Sequence, residues 1–316
     1  MPDPSNTHDV RPVLTFPTLA GMTYPRLERD GLMRVVNDVP AIEAMTVTQR
    51  EQVQVLMTNA TRGCSTAVAE MLPNLRFVLS QGAGQDRIDL SALAAREIRV
   101  RSVGEALTED VADLAMALVQ MTTRSLRRAD AFARSGDWQH GRFGVGHSLV
   151  GKTMGIGGLS GRIGQAIARR ASASCMNVAG LRRPSNESLG VPLYDDLRAL
   201  AGASDVLVLA LPGGADLRHA VGAEELAALG RNGFLVNVGR GDLVDTEALI
   251  AALENGTIAG AALDVLDGEP VVPARLAALP NVVLTPHIGG ATWGARARAA
   301  KIAEDEVLAA LSRLSA

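Results

Sequence analysis

From about residue 10 to residue 103, short apolar runs alternate with stretches in which apolar residues recur every three or four positions. The runs at residues 13–16, 32–36, 53–57, 77–80 and 98–101 are predicted strands, and residues 64–72, ending before Pro73, are a predicted helix between two of them. A long helix should follow. Thr108 is the expected N-cap, Glu109 and Asp110 place negative charge in the first turn, and Val111, Leu114, Ala115, Leu118 and Met121 form one apolar stripe. Arg124, Arg127 and Arg128 fall near its far end, and Gly136 is the expected stop. A second alternating block begins near Lys152, with predicted strands at 154–156, 177–181, 206–211, 234–238, 260–265 and 282–285. The chain finishes in a helix carrying Ala300, Ala303, Val307, Leu311 and Leu314 on one face. Strands alternating with helices in this way imply α/β architecture with parallel sheets covered on both faces.

Composition narrows the picture. A chain of 316 residues is about twice a typical domain, so two domains are expected. With 47% apolar and 21% charged residues it can bury a sizeable core, and with 3% aromatics that core must be aliphatic. The net charge of −3 leaves no basic footprint for nucleic acid. No apolar run approaches the roughly 20 residues of a bilayer span, and the start MPDPSNTHDVRP lacks the basic and apolar regions of a secretory signal. Cys64 and Cys175 stand far apart without a partner motif, so neither a disulfide framework nor a metal site is expected. These features suit a cytoplasmic globular protein.

Residues 158–164 read GLSGRIG between a predicted strand and a predicted helix. Glycines there let the backbone approach a pyrophosphate, whose charge is met by free N–H groups at the helix start. Gly158, Ser160, Gly161, Arg162, Ile163 and Gly164 are the predicted segment, with Leu211 and Pro212 on a neighbouring strand end. The glycine spacing is one residue longer than G-x-G-x-x-G, Ser160 being the extra, and a tight turn without a ligand is the competing reading. Where an acidic residue would bind the ribose hydroxyls of NAD, this chain has Arg182 and then Arg183. Guanidinium groups grip a 2′-phosphate, so NADP(H) is expected over NAD(H); two solvated surface arginines are the alternative.

Three late segments carry candidate chemistry: NVGRGDLVD with Arg240, ALDVLDGEP with Glu269, and TPHIGGAT with His287. Together with ALTEDVADLA at 106–115, they resemble the D-isomer-specific 2-hydroxyacid dehydrogenases, nearest the glyoxylate/hydroxypyruvate and hydroxyphenylpyruvate reductase branch. The resemblance implies a Rossmann-type cofactor domain at 104–289, inserted into a flavodoxin-like substrate domain formed by 1–103 and 290–316, both doubly wound. It implies hydride transfer between a nicotinamide cofactor and a small 2-oxo acid or D-2-hydroxy acid. Arg240 would clamp the substrate carboxylate, and His287 would act as the acid, since imidazole titrates near working pH. Glu269 would orient His287 and favour its cationic form.

Carried over in the same way, Ala83 and Gly84 would offer backbone N–H groups to the substrate. Asp264 would lie near the nicotinamide carboxamide with Val238, Gly239 and Gly289 lining that end, although Asp264 could simply cap a strand. Trp138 and Trp293 belong either at the border of the substrate cavity or in packing at the domain junction. A homodimer is implied, with the long helix near residue 110 in the contact. Val103-Gly104 and Gly294-Ala295 depart from the family's common Thr-Pro and Glu-Thr, near the hinge and entrance. A dinucleotide-sensing, corepressor-like protein on the same fold is the rival from another functional class.

Overall fold

The computed structural model describes residues 10–17 and 19–315; the signal-free start expected at residues 1–9 lies outside them. The chain divides into two compact units, one running up to Leu107 and resuming at Gly290, the other spanning Thr108–Gly289.

In the first unit, strands β1 (Val13–Thr15), β2 (Met33–Val35), β3 (Val55–Thr58), β4 (Phe77–Ser80) and β5 (Arg99–Ser102) form a parallel sheet in the order β2-β1-β3-β4-β5. Five short helices connect them: α1 (Pro25–Arg29), α2 (Val39–Glu43), α3 (Val47–Glu51), α4 (Thr66–Glu70) and α5 (Leu90–Ala95). Strand geometry sends successive side chains to opposite faces. Leu14, Leu56 and Val78 accordingly pack with Ile42, Val68 and Leu93 on one side. Val13, Val55, Met57 and Leu79 pack on the other side with Tyr24, Leu27 and Ala299, Ala303 and Val307 of the final helix. Glu304 of that helix is buried, yet its carboxylate accepts from the backbone N–H groups of Arg26 and Leu27 (2.6 and 3.1 Å) and from Arg26 Nε (2.8 Å). A buried charge is tolerated only with such partners.

The second unit holds β6 (Thr153–Gly157), β7 (Asn177–Leu181), β8 (Leu193–Tyr194), β9 (Val206–Leu209), β10 (Phe234–Asn237), β11 (Gly260–Leu263) and β12 (Val282–Leu284). They form a seven-stranded parallel sheet in the order β12-β11-β10-β9-β6-β7-β8. Around it lie α6 (Thr108–Thr123), α7 (Leu126–Arg134), α8 (Arg162–Ala173), α9 (Leu197–Gly202), α10 (Ala223–Leu229), α11 (Thr246–Glu254) and α12 (Ala274–Ala278); α13 (Trp293–Leu314) returns to the first unit. The strand order reverses between β6 and β9, the switch point at which open α/β sheets bind ligands outside the strand C-termini.

Three local expectations are corrected. The second sheet has seven strands rather than six, because β8 is only two residues long and pairs through Gly180↔Leu193 and Leu181↔Tyr194. Thr108 is not an N-cap: a 3₁₀ turn at Gly104–Leu107 runs into α6, and Thr108 Oγ1 is buried without a hydrogen-bond partner. The long helix ends before Gly136, broken at Ser125, whose φ of 50° is left-handed, and restarts as α7. No described helix is long and apolar enough to cross a membrane.

Candidate active site

Every element of the candidate site in the second unit hangs from the C-terminal edge of its sheet. After β6 the chain turns at Gly158, whose φ is +94° and where a Cβ would sit 2.6 Å from the Ala210 carbonyl oxygen. Gly161 is the residue before α8, and a Cβ on it would meet only Gly158 O, at 3.2 Å. Gly164, inside α8, packs so closely that a Cβ would overlap the Gly158 carbonyl. Two of the three glycines therefore serve backbone packing, and Gly161 leaves the approach to the helix start open. The extra residue, Ser160, has its carbonyl held by Gln165 Nε2 at 3.1 Å.

Beside this turn lies a cavity of about 1050 Å³ lined by Gly158, Ser160, Gly161, Arg183, Leu211 and Pro212 among others. Its size and its place beside the start of α8 suit a dinucleotide's adenosine end and pyrophosphate. Arg162, Ile163, Gly164 and Arg182 do not line it. The two arginines after β7 are unequal. Arg182 Nε is paired with Asp195 at 2.7 Å and Nη2 donates to the Leu193 carbonyl at 3.2 Å. Arg183 lines the cavity, and its guanidinium donates to the Arg182 carbonyl at 2.7 Å.

The catalytic candidates follow β10, β11 and β12. Asn237, buried at the end of β10, donates from Nδ2 to the Arg240 carbonyl (2.8 Å) and accepts from Gly239 N–H (3.0 Å). It staples the loop that presents Arg240, a role the sequence reading missed although the buried amide heads the NVGRG motif. Arg240 Nη1 donates to Gly239 O at 2.9 Å. Val238 is buried beside this loop, and a Cβ on Gly239 would sit 2.7 Å from the Leu211 carbonyl oxygen.

Asp264, buried after β11, organises the next loop. Its Oδ1 accepts from Thr285 Oγ1 (2.6 Å) and Ile288 N–H (2.8 Å), its Oδ2 from Gly289 N–H (2.9 Å), and its carbonyl from His287 N–H (2.8 Å). These bonds hold His287 at a left-handed φ of 53°. Its Nδ1 then lies 2.7 Å from Glu269 Oε1, while Glu269 Oε2 accepts from Leu266 N–H at 3.4 Å. Engaging Nδ1 leaves Nε2 as the nitrogen able to meet a substrate. Both side chains are about half exposed, so substrate can reach the pair.

In the first unit, the 81–85 loop places Ala83 at the surface and Gly84 beneath it, with the Gly84 carbonyl accepting from Ser80 Oγ at 2.9 Å. Neither Ala83 N–H nor Gly84 N–H finds an acceptor among the described residues. Trp138 and Trp293 are 70% and 80% exposed, so neither is buried in packing.

The family described as D-isomer specific 2-hydroxyacid dehydrogenase, NAD binding domain, matches residues 116–289. The chain is 41% identical over 253 residues to glyoxylate/hydroxypyruvate reductase A of Arabidopsis thaliana, covering 80% of each. It is 38% identical over 304 residues to 2-ketogluconate reductase of Gluconobacter oxydans, covering 94% of each. Among solved structures, the NADPH-dependent glyoxylate/hydroxypyruvate reductase of Sinorhizobium meliloti, in complex with NADP and malonate, superposes with a TM-score of 0.86 at 37% identity, covering 96% of this chain and 94% of that one. By these matches, the chain belongs to the D-isomer-specific 2-hydroxyacid dehydrogenase family.

Proposed function

We propose that the protein is an NADP(H)-dependent reductase of small 2-oxo acids such as glyoxylate and hydroxypyruvate, forming 2-hydroxy acids of D configuration wherever the product is chiral, with NAD(H) as the poorer cofactor. The observation that carries this reading is the 2.7 Å Glu269–His287 pair on the same sheet edge as Arg240 and the dinucleotide cavity. A bound nicotinamide dinucleotide supplies the hydride. Arg240 clamps the substrate carboxylate through its planar fork. As the carbonyl carbon is reduced, His287 Nε2 gives its proton to the oxygen, so no free alkoxide is released. Glu269 holds the Nδ1–H and stabilises the imidazolium before transfer. In the oxidative direction neutral His287 takes the hydroxyl proton back.

The preference for NADP(H) rests on Arg182 and Arg183. Arg183 lines the cavity, whereas Arg182 must leave or share Asp195 to reach a 2′-phosphate. Initial rates with NADPH and NADH against glyoxylate, hydroxypyruvate, pyruvate and 4-hydroxyphenylpyruvate test both cofactor and substrate. Charge-assisted hydrogen bonds contribute about 1.5–3 kcal/mol each, so Arg183→Ala is expected to raise the KM for NADPH by about 10- to 150-fold and leave that for NADH unchanged. Arg182→Ala should do the same more weakly. Faster oxidation of NADH by the unaltered enzyme would remove the assignment. Tight NADPH binding without turnover on any substrate would favour a sensing protein instead.

The protein is further proposed to work as a cytoplasmic homodimer. Helix α6 spends its apolar stripe inside its own unit, where Val111, Ala115 and Leu118 are buried. The exposed candidates lie just beyond: α7 buries no residue, and Trp138, Val145 and Val150 are 70%, 102% and 69% exposed. Exposed apolar side chains near one another in the sequence are the candidates for such a surface. Light scattering should give twice the chain mass, and Trp138→Asp with Val145→Asp should give the monomer. A monomeric unaltered protein would refute the dimer.

A further inference from the structure

Three loops from three different strands meet around Asp267, whose carboxylate the catalytic scheme does not use. Arg218 Nη2, on the loop after β9, donates to Asp267 Oδ2 at 3.0 Å, and His219 Nε2 lies 3.2 Å from the same oxygen. The His219 backbone N–H donates to the Asp242 carbonyl at 2.7 Å, which ties the loop after β9 to the loop that carries Arg240. That second loop presses directly on the third: a Cβ on Gly241 would overlap the backbone of Leu266 and Asp267. Asp267 stands two residues before Glu269 in a turn closed by Glu269 N–H donating to Leu266 O at 3.2 Å. On the other side of the knot, Leu217 and Ala220 flank Arg218 and His219 and line the dinucleotide cavity.

The Asp267 side chain is 30% exposed and belongs to none of the hydrophobic clusters, so its removal leaves the core intact. His219 and then Arg218 hold its carboxyl below the ordinary carboxylate range, which keeps it ionised and attractive to both donors. A carboxylate so placed does no chemistry itself. It fixes the turn from which Glu269 reaches out.

We propose that Asp267 is a positioning residue: clamped by Arg218 and His219, it sets the turn that aims Glu269 at His287. This rests on the proposed catalytic roles of Glu269 and His287. Because a misplacement of about 1 Å away from the chemistry can cost about 100-fold, loss of the clamp should be read in turnover rather than in binding.

The test uses the intact enzyme with NADPH and hydroxypyruvate. Asp267→Ala is expected to lower kcat about 10-fold or more and to shift the pH profile of kcat/KM, which reports the Glu269–His287 pair. The dissociation constant for NADPH, followed by its fluorescence, should stay within about twofold of the unaltered value, well inside a tenfold (1.4 kcal/mol) change. Asp267→Glu should recover part of kcat and restore the profile. An unchanged kcat and pH profile would overturn the proposal, as would a loss of turnover matched by an equal loss of NADPH binding. If Asp267→Ala does not fold, Arg218→Gln with His219→Gln removes the clamp while keeping the carboxylate, and must produce the same shift in the profile. His287→Gln separates the two levels: if it is inactive while Asp267→Ala is normal, only the positioning role fails. If it remains active, the catalytic assignment fails with it.

Discussion

His287→Gln is expected to lower kcat by about 100- to 10,000-fold, the usual contribution of a positioned general acid, with NADPH binding retained. Glutamine keeps a hydrogen-bonding side chain of similar reach but has no proton to give to a developing alkoxide. The anchor of the loop stays in place, because Asp264 holds it through Thr285 Oγ1 and the N–H groups of Ile288 and Gly289, not through the imidazole. Binding and chemistry should therefore separate cleanly: kcat falls in steady-state assays while the fluorescence titration with NADPH is preserved. Glu269→Gln should fall between the two enzymes, since an amide can still orient Nδ1–H but no longer stabilises the imidazolium. Turnover of His287→Gln within a few-fold of the unaltered enzyme would remove His287 from the mechanism.

Arg240→Gln should be comparably damaging, but in kcat/KM for the 2-oxo acid. Two charge-assisted hydrogen bonds to the substrate at about 1.5–3 kcal/mol each correspond to a loss of about 10²- to 10⁴-fold. Arg240→Lys keeps the charge but not the two-pronged geometry, so it should recover only a part. The loop itself should hold, because Asn237 fastens it through the Arg240 carbonyl and Gly239 N–H rather than through the guanidinium. Measured values of kcat/KM for hydroxypyruvate across Arg, Lys and Gln should fall in that order. Equal values for Lys and Arg would show that a point charge suffices and that the fork plays no part.

The regular elements were readable because buried parallel strands are continuous apolar runs: the reading of residues 77–80 as a strand matches β4, and 177–181 matches β7. The candidate catalytic residues stood out because an Arg, a Glu and a His occupy distinctive glycine- and proline-flanked contexts after predicted strands. What the sequence concealed is of another kind. A two-residue strand such as β8 has no periodicity to detect and exists only through its partner β7. The break at Ser125 falls in the stretch Thr122-Thr123-Arg124-Ser125, whose threonines and serine are weak helix formers, but the apolar stripe alone did not reveal it. The Arg182–Asp195 pair joins residues 13 positions apart across a strand edge, so the two adjacent arginines looked equivalent until the fold distinguished them. For Asp264, expected as a cofactor contact or strand cap, the fold adds four hydrogen bonds from the 285–289 segment that make it the anchor of the His287 loop.

The return of α13 to the first unit has a consequence for how the polypeptide is made. Ala299, Ala303 and Val307 complete a core whose other half, including Val13, Met57 and Leu79, leaves the ribosome first. The entire Thr108–Gly289 unit is synthesised in between, an interval of roughly 10–40 seconds at about 5–20 residues per second. During that interval one apolar sheet face of the nascent chain lacks its cover, while the inserted unit already has every strand it needs. The inserted unit can thus fold first and the N-terminal one last, reversing the usual vectorial order. The uncovered face is then the natural target for chaperones, and a chain truncated ahead of residue 293 would be destined for aggregation or proteolysis rather than for partial activity.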